Sequence, residues 1–155
     1  MSTAGQKEPA DVVVEMFFAT DRRAWDEVRD SFADTVRLDY TSLNGGEPVM
    51  ITADDMVEAW KGLLPGFDST HHHVTPVMTT PSVEGTRVIL NGTATHRLSS
   101  AHGDSLWIIG GYYEADLVAG VDGWKIARFT FVATWGSGNR DLVRLAQEGV
   151  GGGPS

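Results

Sequence analysis

Three of the chain's five histidines stand side by side in Ser69-Thr70-His71-His72-His73-Val74-Thr75-Pro76-Val77-Met78. Imidazole gains and loses a proton near neutral pH, so this stretch is the natural place to look for acid–base chemistry. On a strand only alternate residues face the same way. The set His72, Val74, Pro76, Met78 is more apolar than His71, His73, Thr75, Val77, Thr79, which puts His72 inside. The same parity turns two more polar side chains inward. Tyr40 shares a face with Val36 and Leu38, and His96 shares one with Val88, Leu90 and Ala94. Buried polar tips need partners, and three of them converging on one interior suggest a site. Asp21 lies where two helical patterns meet. It can cap the second helix or point inward as an acid; spacing leaves both open, although Arg22 and Arg23 are the wrong sign for a capped first turn. A carboxylate against an imidazole would orient the ring and strengthen it as a base, able to take or return a proton. Tyr40 could then donate to a developing oxyanion or hold a water.

Other candidates fall around this group. Trp25, Trp60 and Tyr113 are aromatic residues suited to lining an apolar pocket for a substrate. Glu114 is either a further pocket acid or an exposed strand carboxylate, and Arg128 faces inward by parity with Trp124 and Ile126. His71, His73 and His102 read as solvated, and Asp39, Asp54 and Asp55 as solvated or capping residues. Consecutive strand histidines diverge, and neither an HExxH nor a cysteine pair accompanies them, so no metal ligand set is assigned. There is no GxSxG and no cysteine. The glycine-rich Gly149-Val150-Gly151-Gly152-Gly153 follows a helical pattern rather than opening one, so it is no phosphate loop.

The elements that must position these residues can be read in order. Residues 1–8 form a polar leader expected to be disordered. Val13, Met16, Phe17 and Thr20 have helical spacing, predicting a helix from Pro9 to Thr20. Ala24, Trp25, Val28 and Phe32 predict a second. A strand over Thr35–Ser42 carries Tyr40, and Asn44-Gly45-Gly46 is a turn. Thr52-Ala53-Asp54-Asp55 resembles a capping box and opens a helix bearing Met56, Ala59, Trp60, Leu63, Leu64 and Phe67, which Pro65 stops or kinks. Four long antiparallel strands follow, over 72–80, 86–100, 105–118 and 124–135, with a bulge or bend expected at Gly110-Gly111. Asn139 caps a short last helix ending near Gln147, and 148–155 is expected to be a flexible tail. The order gives an α+β domain over 9–147, with helices against a curved antiparallel sheet and room for a small ligand between the two layers.

Composition agrees with such a domain: 155 residues, 41% hydrophobic and 21% charged. The formal net charge of −9 argues against nucleic acid and anionic membrane as partners. No apolar run approaches the roughly 20 residues of a membrane span, and no signal peptide is evident, so the expected location is the cytoplasm. An apolar outer face on the last long strand predicts a homo-oligomer, dimer or trimer.

Four segments together resemble a known family: Asp21-Arg22-Arg23-Ala24-Trp25-Asp26-Glu27-Val28, Val36-Arg37-Leu38-Asp39-Tyr40, Thr70-His71-His72, and Val121-Asp122-Gly123-Trp124-Lys125-Ile126. They look like the SnoaL-like branch of the NTF2-like superfamily, with scytalone dehydratase the nearest likeness and hexachlorocyclohexane dehydrochlorinase a looser one. The resemblance implies a cone-shaped α+β barrel with a deep pocket and no metal or organic cofactor. It also implies an aspartate–histidine dyad, with Asp21 on the aspartate and His72, or its neighbour His71, on the histidine. Tyr40 matches a tyrosine that binds a water at the substrate carbonyl, and His96 a second histidine. Thr20 stands where another water-holding tyrosine would be, and Tyr113 or Glu114 where a pocket asparagine would be. The expected function is a cofactor-independent lyase of dehydratase or cyclase type. It would act on a small cyclic or polyketide-like molecule, with His96 returning a proton to the leaving hydroxyl. The alternative is a binding or dimerisation module without catalysis, which predicts Asp21 and His72 out of hydrogen-bond reach.

Overall fold

A computed structural model describes residues 6–100 and 102–151. Residues 1–5 of the expected leader and 152–155 of the expected tail lie outside the described residues. Helices α1 (Pro9–Asp21) and α2 (Trp25–Asp30) lead into β1 (Phe32–Asp39), a single-turn α3 (Thr41–Asn44), β2 (Val49–Thr52) and α4 (Ala53–Lys61). A 3-10 turn at Leu64–Gly66 precedes the long strands β3 (Ser69–Pro81), β4 (Gly85–Arg97), β5 (Leu106–Gly120) and β6 (Gly123–Gly138), and α5 (Leu142–Gly151) closes the order. The six strands form one curved, open sheet in the order β2-β1-β6-β5-β4-β3. The expected α+β cone is the fold.

The core lies between the helices and the concave face. Val13, Met16 and Phe17 of α1, Met56 of α4, Val88 and Leu90 of β4, Leu117 of β5, and Phe129 and Phe131 of β6 are all buried there. Each such side chain contributes on the order of 2 kcal/mol by leaving water. Alternation along β4 is as expected: Thr86, Val88, Leu90, Gly92, Ala94 and His96 are all buried. Thr52 accepts from the Asp55 N–H at 3.1 Å, so the capping residue read from sequence does start α4.

Four expectations need correction. Phe32 begins β1 rather than ending a helical stripe, because its backbone pairs with Ile126 in β6 and that pairing overrides helical spacing. β1 runs parallel to β6, so the sheet is not antiparallel throughout. The short edge strand β2, antiparallel to β1, was not foreseen. α5 also continues to Gly151, past the expected stop near Gln147.

Two of the sheet's register slips fall between β5 and β6. The register slips between Gly110 and Gly111, where a Cβ on Gly111 would lie 2.0 Å from the Val132 carbonyl oxygen; the bulge therefore needs glycine. A second slip leaves Ala127 without a partner between Ile126 and Arg128.

Candidate active site

The elbow between α1 and α2 is built to turn Asp21 away from the second helix. Asp21 is the last residue of α1, and Ala24, not Asp21, sits at the start of α2 without any side-chain cap. Arg23 completes the elbow in the left-handed region, at φ 59°, a conformation uncommon for a residue with a Cβ. Its guanidinium donates to the Phe67 carbonyl at 2.6 Å and the Leu64 carbonyl at 3.4 Å, holding the elbow against the chain entering β3.

Across that junction Asp21 meets His72. Oδ1 lies 2.7 Å from the ring Nδ1, Oδ2 accepts the backbone N–H of His72 at 2.7 Å, and the Thr70 hydroxyl donates to Oδ1 at 3.0 Å. Both side chains are nearly buried, 12% exposed for His72 and 11% for Asp21. Burial pushes the Asp21 carboxyl up, but the His72 ring and backbone hydrogen bonds, the His72 charge and the Thr70 hydroxyl together bring it below its ordinary value. An ionised carboxylate only accepts, so Nδ1 carries the hydrogen and Nε2 is left as the basic nitrogen. Asp21 and His72 are within hydrogen-bond reach, unlike the prediction of a pure binding module.

His72 opens onto a cavity of about 670 Å³ lined by residues of α1, β1, α3, α4, the long strands and α5. Asp21 itself stands behind His72 and is not part of the lining. The deep end is aromatic. Phe17 packs between His72 (5.2 Å between centroids) and Tyr113 (4.6 Å), and Tyr113 stacks on Phe131 at 4.6 Å. Tyr40 lies beyond the end of β1 rather than within a strand, because Asp39 turns the chain by accepting from the Thr41 N–H and hydroxyl. It still points inward, onto Phe129 and Phe131. Burial pushes the Tyr40 hydroxyl well up, with the charge of Tyr113 adding to it.

His96 is 5% exposed and lies against Trp107, centroid to centroid 4.5 Å, with its ring 6.4 Å from that of His72. Its Nδ1 is 3.1 Å from the Trp107 carbonyl, which can only accept, so Nδ1 holds the hydrogen. Burial, with a smaller push from the His72 charge, outweighs that hydrogen bond and the attraction of Asp21 and lowers His96 to about 4. At neutral pH His96 is therefore neutral, with Nε2 an acceptor. In that form Nε2 carries no proton, unlike the proton-returning part expected of His96.

Of the remaining candidates, Trp60 and Tyr113 line the cavity and Trp25, Glu114 and Arg128 do not. Trp25 is half-buried against the core at the start of α2. Glu114 alternates with buried Tyr113 and Ala115 and so faces the other side of the sheet. Arg128 points outward, 54% exposed and 3.7 Å from Asp116, because the extra residue at Ala127 reverses the parity that Ile126 sets. His71 and His73 are exposed, with rings 4.6 Å apart. Among the described residues no three His, Asp or Glu side chains are grouped to hold a metal ion.

Sequence reasoning missed the mouth. Asn44 at the end of α3, Glu47 beyond it, and Arg140, Arg144 and Gln147 around α5 line it. Arg140 donates to the Leu43 carbonyl at 2.7 Å, and Arg144 is paired with Asp141 at 2.8 Å and Glu148 at 2.9 Å. The buried pair Leu142 and Ala146, four residues apart, was the signal that α5 docks rather than trails. Gly66 marks where it docks, since a Cβ there would lie 2.0 Å from the Ala146 carbonyl oxygen.

No helix among the described residues is long and apolar enough to cross a membrane. Among curated proteins no sequence match is significant. Solved structures share the fold. A protein from Kribbella flavida superposes with a TM-score of 0.82 at 23% identity, covering 88% of this chain and 95% of its own. A candidate scytalone dehydratase from Novosphingobium aromaticivorans gives 0.67 at 18% identity, covering 84% and 85%. The type 3 hexachlorocyclohexane dehydrochlorinase from Novosphingobium barchaimii gives 0.64 at 13%, covering 84% and 87%. The family model for the SnoaL-like domain matches residues 6–130. The chain therefore belongs to the SnoaL-like family.

Proposed function

We propose that this protein is a cofactor-independent lyase of the dehydratase or cyclase type, acting on a small, neutral, cyclic or polyketide-like molecule. The observation that carries the reading is the 2.7 Å contact from Asp21 to His72 Nδ1 at the wall of an aromatic cavity. His72 Nε2 takes the proton from carbon next to a carbonyl; the C–H electron pair moves into the enolate, whose oxygen Tyr40 stabilises by hydrogen bonding. In a dehydration the enolate then expels the β-hydroxyl, and the imidazolium gives the same proton to that oxygen, which leaves as water. His96, neutral, accepts a hydrogen bond from a substrate hydroxyl at Nε2. A dehydrochlorinase and a candidate dehydratase among the structural neighbours are in keeping with elimination chemistry on this fold.

Screening β-hydroxy ketones on aromatic or alicyclic rings, with water loss followed by absorbance, tests the reading. A substrate turned over by wild type and not by His72→Ala is the expected result. Turnover that survives His72→Ala intact would overturn it.

A further inference from the structure

Tyr113 is packed as though it were phenylalanine. It is 2% exposed, edge-on to Phe17 and stacked on Phe129 at 5.6 Å and Phe131 at 4.6 Å. The neighbouring strand makes way for it: a Cβ on Gly92 would lie 2.5 Å from Tyr113 Cε2, so the ring fills the space a side chain would take. Nothing in that packing uses the hydroxyl, and among the described residues none hydrogen-bonds to it. Yet no buried side-chain polar atom among the described residues is sealed off without a partner, so this hydroxyl keeps access to the cavity that Tyr113 lines. The same holds for Tyr40, which borders the same two phenylalanines, at 6.2 Å from Phe129 and 5.8 Å from Phe131. A phenol in so apolar a wall is worth its desolvation only when something in the cavity accepts its hydrogen bond.

We propose that Tyr113 is a second ligand-binding phenol: its hydroxyl donates to an oxygen on a flat, neutral ring held between the aromatic walls, alongside Tyr40. This deepens the proposed reaction at the same site and rests on it for taking the bound oxygen as the reacting carbonyl. Tyr113 stays protonated, since burial and then the Asp21 charge push its hydroxyl up, so it remains a donor while Asp21 is ionised. As the C–H bond breaks and the electron pair moves onto that oxygen, both phenols keep their protons and their hydrogen bonds shorten.

The test uses binding, which does not depend on turnover. The probes are 2-naphthol, which carries one ring oxygen, and naphthalene, which carries none, titrated into the full chain by fluorescence. Wild type should bind 2-naphthol more tightly than naphthalene. Tyr113→Phe should weaken 2-naphthol by about tenfold, one hydrogen bond, and leave naphthalene within about twofold. His72→Gln should leave the Tyr113→Phe effect in place, so failure of the proton-transfer reading and failure of this one are separable. Equal affinity of the two probes for wild type, or an equal change for both on Tyr113→Phe, would overturn the proposal. Thermal melting of Tyr113→Phe within a few degrees of wild type shows the fold is kept; if it is not, Tyr113→Met, which also lacks the hydroxyl, is titrated the same way and must show the same selective loss for 2-naphthol.

Discussion

Asp21 grips His72 twice: one carboxylate oxygen is 2.7 Å from the ring Nδ1 and the other 2.7 Å from the backbone N–H of the same residue. The ring bond sets the tautomer, and the backbone bond fixes where the ring is carried. A helix end and an edge strand, 51 residues apart in sequence, are thereby locked together beside the cavity.

Asp21→Asn should therefore be worse than a simple loss of charge. An amide can donate as well as accept, so the Nδ1–H tautomer is no longer enforced. Activity should fall by about 10²–10⁴-fold with the fold retained. Nitrogen chemical shifts of the His72 ring check the cause: wild type should show the hydrogen on Nδ1, and the variant a mixture.

Acid should cost stability through His96 first. A histidine lowered to about 4 stays neutral in the fold, while the unfolded chain takes up a proton below its ordinary value of 6.5. Stability should thus decline as pH falls from about 6.5 to about 4 and its His96 component should level off below that. Asp21, lowered in the fold, adds a further loss as pH falls from its ordinary value of 3.8 through the folded one. Denaturant titrations of wild type and His96→Leu across this range check it: the variant should lose the slope between the two values.

Parity carried much of the site. His72 and His96 point inward, as alternation predicts, because each strand face is either buried or wet over the length that matters; Tyr40 also points inward, but from the turn after β1. Parity failed at Arg128, where one extra residue at Ala127 reverses it; no residue type in that stretch marks a bulge as Gly110-Gly111 does. The edge strand β2 was illegible because four residues, mostly exposed, carry no periodic signal. Asp21 could be a cap or an acid by spacing alone, since the choice depends on Arg23 adopting a left-handed backbone to end the elbow.

Arg23 offers a way to separate those two contributions. Arg23→Gly loses the hydrogen bonds to Phe67 and Leu64 but is relieved of the Cβ strain at positive φ; Arg23→Ala loses the same hydrogen bonds and keeps that strain. Each should destabilise, Arg23→Ala by about 1 kcal/mol more than Arg23→Gly. Chemical denaturation of the two variants measures the difference.

Gly66→Ala should loosen the mouth rather than the base. The added methyl meets the Ala146 backbone, so α5 must move away from the 3-10 turn. The expected outcome is a loss of about 1–3 kcal/mol in stability and a raised KM with a smaller change in kcat. Steady-state kinetics beside a melting curve would show both.

The most direct measurement is deuterium uptake by a ring ketone. 2-Tetralone in D2O with wild-type protein, followed by proton NMR, reports proton abstraction from carbon without needing the natural substrate. A working Asp21–His72 base predicts exchange well above the buffer rate, lost by about a hundredfold or more in His72→Gln and in Asp21→Asn. Exchange by wild type that persists unchanged in both variants would contradict it.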